Sequence, residues 1–191
     1  VHIRTAPNPS DDLGRAMMQY TTTYKSPLGG ILLAADEKGL TGLWFEGQKY
    51  YGGEETAQRE EALPVFLETR RWLDLYFEGR EPDFLPPVSL SGSPFQQAVW
   101  AILKEIPYGQ TVTYGDIALR LRSAGRKASA QAVGGAVGRN PVSVIVPCHR
   151  VLGQGGNLTG YAGGVAKKIA LLRLEGADVS RLKTPEKGTA L

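Results

Sequence analysis

One cysteine in 191 residues leaves nothing to pair with it inside the chain, which excludes a disulfide-stapled scaffold and fits a reducing compartment. Histidine is nearly as scarce. His2 and His149 are the only two, so no Cys/His cluster exists to hold a structural metal, and none is expected. No apolar run reaches bilayer length, and the N-terminus lacks the charged start, apolar middle and small-residue cleavage site of a secretory signal. A cytoplasmic protein with no membrane partner is the expectation. Acidic residues are scarce in the second half only: residues 91–191 carry 13 Lys/Arg against 5 Asp/Glu, a net +8, leaving 9 against 14, a net −5, for residues 1–90. Such an asymmetry fits a polyanionic partner for the basic half or a solvated basic surface.

What is present divides into two textures. The Pro/Asp/Asn-rich start, residues 1–17, precedes Met17 and Met18 and is set apart as a disordered extension, native or left from cloning. From Gln19, "QYTTTYKS", "ILLAADEKG" and "LTGLWFEG" are β-rich runs separated by turn residues, which predicts an antiparallel meander. A helix follows in "EALPVFLETRRWLDLYFEGR", with Val65, Leu67, Trp72, Leu75 and Tyr76 on its apolar face and Gly79 at its end. The Pro/Ser/Gly-rich "REPDFLPPVSLSGS" reads as a linker, so a small α+β domain is placed at 18–90 and a second, mainly helical domain at 91–176. Residues 177–191 form a tail whose charge and Pro/Gly content predict disorder.

The second domain opens on a Ser93-x-x-Gln96 capping box with Pro94 at the first helical position, ahead of the apolar Phe95, Val99, Ile102, Leu103 and Ile106. Thr113 caps "YGDIALRLR". After the turn "SAGRKA" comes "SAQAVGGAVGRN", whose glycines permit close approach of a neighbouring backbone. Two short helices across a turn form either a helix-turn-helix or a helical hairpin of the core. Arg120, Arg122, Arg126, Lys127 and Arg139 around the unit are placed to contact phosphates. The small side chains of the second helix offer little to read base edges, which favours sequence-tolerant binding.

The lone thiol, Cys148, stands in "NPVSVIVPCHRV", where "VSVIV" predicts a buried strand ended by Pro147. A lone cysteine is commonly an inert core residue. Its neighbours favour reactivity: a nucleophilic thiol needs a base within reach, directly or through one water, and His149 is adjacent. Side chains adjacent in an extended segment diverge, so a bridging water is the expected link. The imidazole then calls for an orienting carboxylate, and Glu175 in "ALLRLEG" is the best placed, although it could equally be solvated at a helix end.

"PCHRV", preceded by Asn-Pro and followed by "GYAGG", resembles the active-site segment of the O6-alkylguanine-DNA alkyltransferases, and "PFQQAVWAILKEIPYGQTVTYGDIA", "AVGGAVGRNPVSVIVPCHRV", "LTGYAGGVAKK" and "LLRLEG" extend the likeness. The resemblance implies single-use repair of double-stranded DNA by a monomer without cofactor. The alkyl group of O6-alkylguanine, or of O4-methylthymine, passes irreversibly to Cys148 after the base is flipped out. It further implies His149 as base through water, Glu175 as its support, and Asn140 as the joint between recognition helix and active-site strand. Tyr114 would press on the target phosphate and line the pocket. Tyr161 would pack on the flipped base and, with the backbone around Ala162 and Gly163, serve the leaving oxygen, while the carbonyls of Cys148 and Val151 would receive the exocyclic amine. Arg150 is implied to be structural, and the second helix would meet DNA through Ala130, Gln131, Gly134 and Gly135. Gln131 departs from the pattern, since relatives carry an intercalating arginine there; a shorter, uncharged side chain implies weaker flipping. Some relatives bind zinc in the first domain, but the cysteines needed are missing here. Competing readings are a lesion binder that transfers nothing, which would lack the acceptor cysteine, a helix-turn-helix regulator with a redox cysteine, and a cysteine hydrolase.

Overall fold

The structure is a computed structural model that describes residues 19–52 and 58–184; the N-terminal extension and the last residues of the tail lie outside that range. Strands β1 (Tyr20–Ser26), β2 (Gly29–Ala35) and β3 (Leu40–Phe45) form the expected antiparallel meander. Ser26 closes the first hairpin, its hydroxyl accepting from Leu28 N at 3.1 Å and donating to Gly29 O at 2.7 Å, which sets the register from Ser26↔Gly29 to Tyr20↔Ala35. Buried Asp36 closes the second by accepting from the N–H groups of Lys38 and Gly39. A short β4 (Gln58–Arg59) adds a parallel edge to β1, so the sheet order is β3-β2-β1-β4.

Helix α1 (Pro64–Phe77) buries Phe66, Thr69, Trp72, Leu73 and Tyr76, a face turned from the expected one, and Leu67 points to solvent at 55% exposure. The polar letter of Thr69 concealed the 66/69/73/76 spacing. Its hydroxyl is satisfied within the helix by Val65 O at 2.6 Å, so burying it leaves no orphaned donor. The linker carries no helix and only a one-residue bridge, Val88 to Leu40, yet it is fastened to the sheet by Leu40 N→Pro87 O, Ser89 N→Leu40 O and Ser89 Oγ→Asp36 Oδ2.

Helix α2 (Pro94–Leu103) starts on the complete Ser93/Gln96 capping box, and Trp100, outside the expected apolar set, is buried and donates through Nε1 to Ala136 O at 2.9 Å. Strand β5 (Val112–Thr113) leads into α3 (Tyr114–Ser123), capped by Thr113 and Asp116, and Ser129 caps α4 (Ala130–Gly138). The pair α3–α4 has helix-turn-helix order. The α4 glycines do not admit a backbone: a Cβ on Gly134 would face the Tyr114 ring at 3.9 Å, and one on Gly135 would meet nothing within 4 Å.

"VSVIV" is buried as expected but is not a strand. Val142 bridges Leu43 of β3 for one residue, after which the chain coils in turns, with Val144 at φ 69°. The run has only the edge of β3 beside it, and Asn140 supplies the missing partners: Nδ2 donates to Val146 O at 2.7 Å and Val142 O at 3.3 Å, and Oδ1 accepts from Val142 N. Cys148 accordingly opens a 3-10 turn, Cys148–Arg150, that runs into β6 (Val151–Leu152). Helix α5 (Val165–Leu174) ends on Glu175. The expectation of a disordered tail fails for its first part, because Ala177, Val179 and Leu182 pack on Leu152, Leu158 and Leu172, and Lys183 bridges Asn157. One continuous apolar core joins the sheet, α1, α2 and α4 to Cys148 and Leu171.

Candidate active site

The site is assembled on the 3-10 turn, whose three residues are all buried. Glu175 is its hub. Its carboxylate, with the side chain fully buried, accepts from five donors: Tyr76 Oη (2.7 Å), His149 Nε2 (2.7 Å) and Arg150 Nη2 (3.0 Å) at Oε1, and Gly109 N (3.0 Å) and Arg150 Nε (2.8 Å) at Oε2. Burial alone would raise the carboxyl's pKa. The hydrogen bonds and charges of His149 and Arg150 outweigh it and hold Glu175 well below the usual carboxylate range. Gly109 is the one residue type that fits its place: φ is +72°, and a Cβ would lie 2.7 Å from Glu175 O.

The ionised carboxylate can only accept, so the hydrogen of neutral His149 sits on Nε2 and the lone pair on Nδ1. Nδ1 is buried and has no hydrogen-bond partner among the described residues. Burial pulls the imidazole's pKa down against the pull of Glu175, which keeps it neutral with its Nδ1 lone pair open to a proton. Cys148 is 5% exposed. Burial raises its thiol, and the Asn140 side chain, the charge of Lys168 and main-chain hydrogen bonds from Cys148 and His149 oppose the rise. The residues around the sulfur thus favour the thiolate, while the desolvated pocket keeps the thiol protonated until a base acts.

Tyr114, first residue of α3, is brought to the site because β5 pairs with β6 in the register Val112↔Val151 and Thr113↔Leu152. Its hydroxyl donates to Thr159 O at 3.0 Å and passes over Gly160, where a Cβ would lie 2.5 Å from the oxygen. Tyr161 stacks edge-on to His149 at 6.5 Å between ring centroids; its hydroxyl is buried with no hydrogen-bond partner among the described residues, and burial keeps it protonated. Ala162 and Gly163 follow, half-buried. The carbonyls of Cys148 and Val151 each hold one donor already, Val151 N and Lys168 Nζ, and each retains a second lone pair.

Ala130, Gln131 and Gly135 are exposed along α4 and Gly134 is half-buried beside Tyr114. The cations do not form one cluster. Arg120 is paired with Glu105, Arg122 caps the inter-helix turn through Ala128 O, Arg126 and Lys127 are exposed in that turn, and Arg139 lies beyond the far end of α4.

Three contributors escape a reading of the sequence. Tyr76 reads as core packing on α1, and nothing local ties it to Glu175, 99 positions away. Gly109 reads as an ordinary turn glycine. Lys168, a lysine that carries no signal of burial in the sequence, is fully buried, with Nζ donating to Val151 O at 2.6 Å and Thr159 O at 3.0 Å, and burial lowers its pKa to about 8.

Both halves of the chain match known family models: residues 19–90 the ribonuclease-like domain, and residues 94–177 the DNA binding domain, of 6-O-methylguanine DNA methyltransferase. A methylated-DNA–protein-cysteine methyltransferase of Haemophilus influenzae is 43% identical over 157 residues, covering 82% of this chain and 86% of that one, and a protein of the same name from Methanosarcina acetivorans is 45% identical, covering 83% and 99%. The crystal structure of the Mycobacterium tuberculosis O6-methylguanine methyltransferase superposes with a TM-score of 0.73 at 40% identity, covering 89% of this chain and 97% of that one. The same organism's OGT in complex with DNA gives 0.72 at 40% identity, covering 85% and 94%. Matched along both halves and over most of its length, the chain belongs to the 6-O-methylguanine DNA methyltransferase family.

Proposed function

We propose that this chain binds double-stranded DNA and repairs O6-alkylguanine by moving the alkyl group onto its own Cys148. The observation that carries the reading is the lone buried thiol beside an imidazole whose Nδ1 is free and whose Nε2 is fixed by Glu175. The thiol proton passes to Nδ1 of His149 through one water, and the thiolate attacks the alkyl carbon. The S–C bond forms as the C–O6 bond breaks, and the electron pair leaves on the guanine, whose O6 is met by the Tyr161 hydroxyl and the backbone of Ala162 and Gly163. The carbonyls of Cys148 and Val151 receive the exocyclic amine. Tyr114 presses on the phosphate, and Asn140 holds the turn that carries the sulfur. The product is a thioether with no group beside it able to hydrolyse it, so each chain acts once, as a monomer in the cytoplasm, with no cofactor. The domain boundary near residue 90 belongs to the same reading.

A titration tests it. Duplex bearing one O6-methylguanine is converted to the unmethylated duplex in direct proportion to protein and stops at one lesion per chain; continued turnover would overturn the reading.

Gln131 sets the flipping step. Replacing it with arginine adds a charge and a stacking plane at the exposed start of α4, and Gln131→Arg is expected to speed single-turnover repair of duplex by about three- to tenfold. The rate on free O6-methylguanine base, which needs no flipping, stays unchanged; single-turnover kinetics on both substrates checks this.

A further inference from the structure

Tyr50 and Tyr51, in the turn after β3, are adjacent large side chains left 49% and 46% exposed. The turn that carries them is held firmly. Gln48 is buried and accepts from Phe45 N at 2.8 Å, Lys49 N donates to Ala162 O at 3.2 Å, and the Tyr51 ring packs against Trp44 at 6.1 Å. Tyr50 sits at φ 59°, a left-handed conformation that disfavours a bulky residue, so the surroundings hold its ring outward against a local cost.

Two cations lie over Tyr50, and a third lies over buried Phe45 close by. Arg139, which caps the end of α4, sets its guanidinium 5.1 Å from the Tyr50 ring centre, Lys49 Nζ lies 5.3 Å from the same ring, and Lys167 Nζ lies 5.6 Å from Phe45. The neighbouring carboxylate, Glu46, lies against Gly30 of β2, where a Cβ would meet it at 2.4 Å. Two exposed aromatic rings and three cations therefore adjoin the place where α4 ends and the Tyr161–Gly163 loop begins. Positive charge interleaved with exposed rings matches a strand of duplex DNA, which offers phosphates together with sugars and groove edges of the bases. The patch is also continuous with α4.

We propose that this turn of the N-terminal domain is a second DNA contact. It receives the strand that continues past the C-terminal end of α4, with Lys49, Arg139 and Lys167 on phosphates and the rings of Tyr50 and Tyr51 against sugar and base. The proposal rests on the DNA-repair reading above and adds a surface to it.

The test compares the intact protein with Tyr50→Ala/Tyr51→Ala and with Lys49→Ala/Lys167→Ala, measuring affinity for unmodified duplex across a salt series and the methyl-transfer rate on free O6-methylguanine base. The tyrosine variant is expected to bind duplex about tenfold more weakly. The lysine variant is expected to lower the slope of log affinity against log salt by about two. Both keep the free-base rate. Unchanged duplex affinity and salt slope would overturn the proposal. So would an equal fall in duplex affinity and free-base rate, which would make the turn a support for Ala162 and not a DNA contact. An intact protein that removes no methyl from duplex would instead sink the repair reading, so the two failures are told apart.

Discussion

Cys148→Ala retains its affinity for duplex carrying O6-methylguanine and removes no methyl group from it. Cys148 carries the only thiol of the sequence, and His149, Glu175 and Lys168 are organised around it by bonds that do not involve the side chain of residue 148. Alanine fits the space, since Cys148 lies in the core and the substitution removes only one heavy atom. Binding by fluorescence anisotropy and single-turnover repair, measured on one preparation, separate the two effects. A helix-turn-helix regulator with a redox cysteine would show no repair even in the intact protein, and this variant of it would keep DNA binding and lose only the redox response. Any residual repair by Cys148→Ala would mean that the acceptor lies elsewhere.

Glu175→Gln is expected to damage both fold and rate. Five donors converge on the carboxylate, and an amide offers one acceptor oxygen and directs two hydrogens at donors. Arg150, 8% exposed, would lose its counter-charge. Breaking one partner of a buried pair costs about 3–5 kcal/mol, which in a chain of this size lowers the melting temperature by about 10 °C. Without a fixed carboxylate, His149 loses both its tautomer and its orientation, and single-turnover repair falls about a hundredfold. The pH dependence has a definite sign. The folded pKa of Glu175 is depressed, burial being outweighed by His149 and Arg150, so the stability it contributes is present above the unfolded value, about 4.3. That stability is lost as pH falls through the folded value. Urea midpoints of the intact protein therefore drop on acidification below about pH 4, and Glu175→Gln, weaker at neutral pH, lacks this part of the drop.

The C-terminal site was legible because its parts are local. Cys148 and His149 are neighbours, the caps at Ser93 and Thr113 are spelled in single residues, and α2 and α3 start where those residues stand. Glu175 is legible as a carboxylate for His149 from its place at the end of an apolar helix, and the two do meet, but its other partners are not legible. Tyr76 and Gly109 reach it from distant segments, and side chains that meet only through tertiary packing leave no periodic trace. "VSVIV" misled for a related reason. β-branched residues describe burial well and pairing poorly, and whether such a run becomes a strand depends on having a neighbour on each side. Here β3 offers one edge, and Asn140 takes over the rest. The tail misled through composition: Val179 and Leu182 suffice to dock residues 177–184 on the back of α5 despite the charges between them. Lys168 shows the opposite case, a charged side chain that is buried because two main-chain carbonyls converge on its ammonium group.

The most direct measurement is a peptide-level mass spectrum of the protein before and after mixing with excess duplex containing one O6-methylguanine. A single added methyl is expected on the peptide containing Cys148, saturating at one per chain and leaving every other peptide unchanged. An unmodified Cys148 peptide from protein that demonstrably binds the lesion would contradict it.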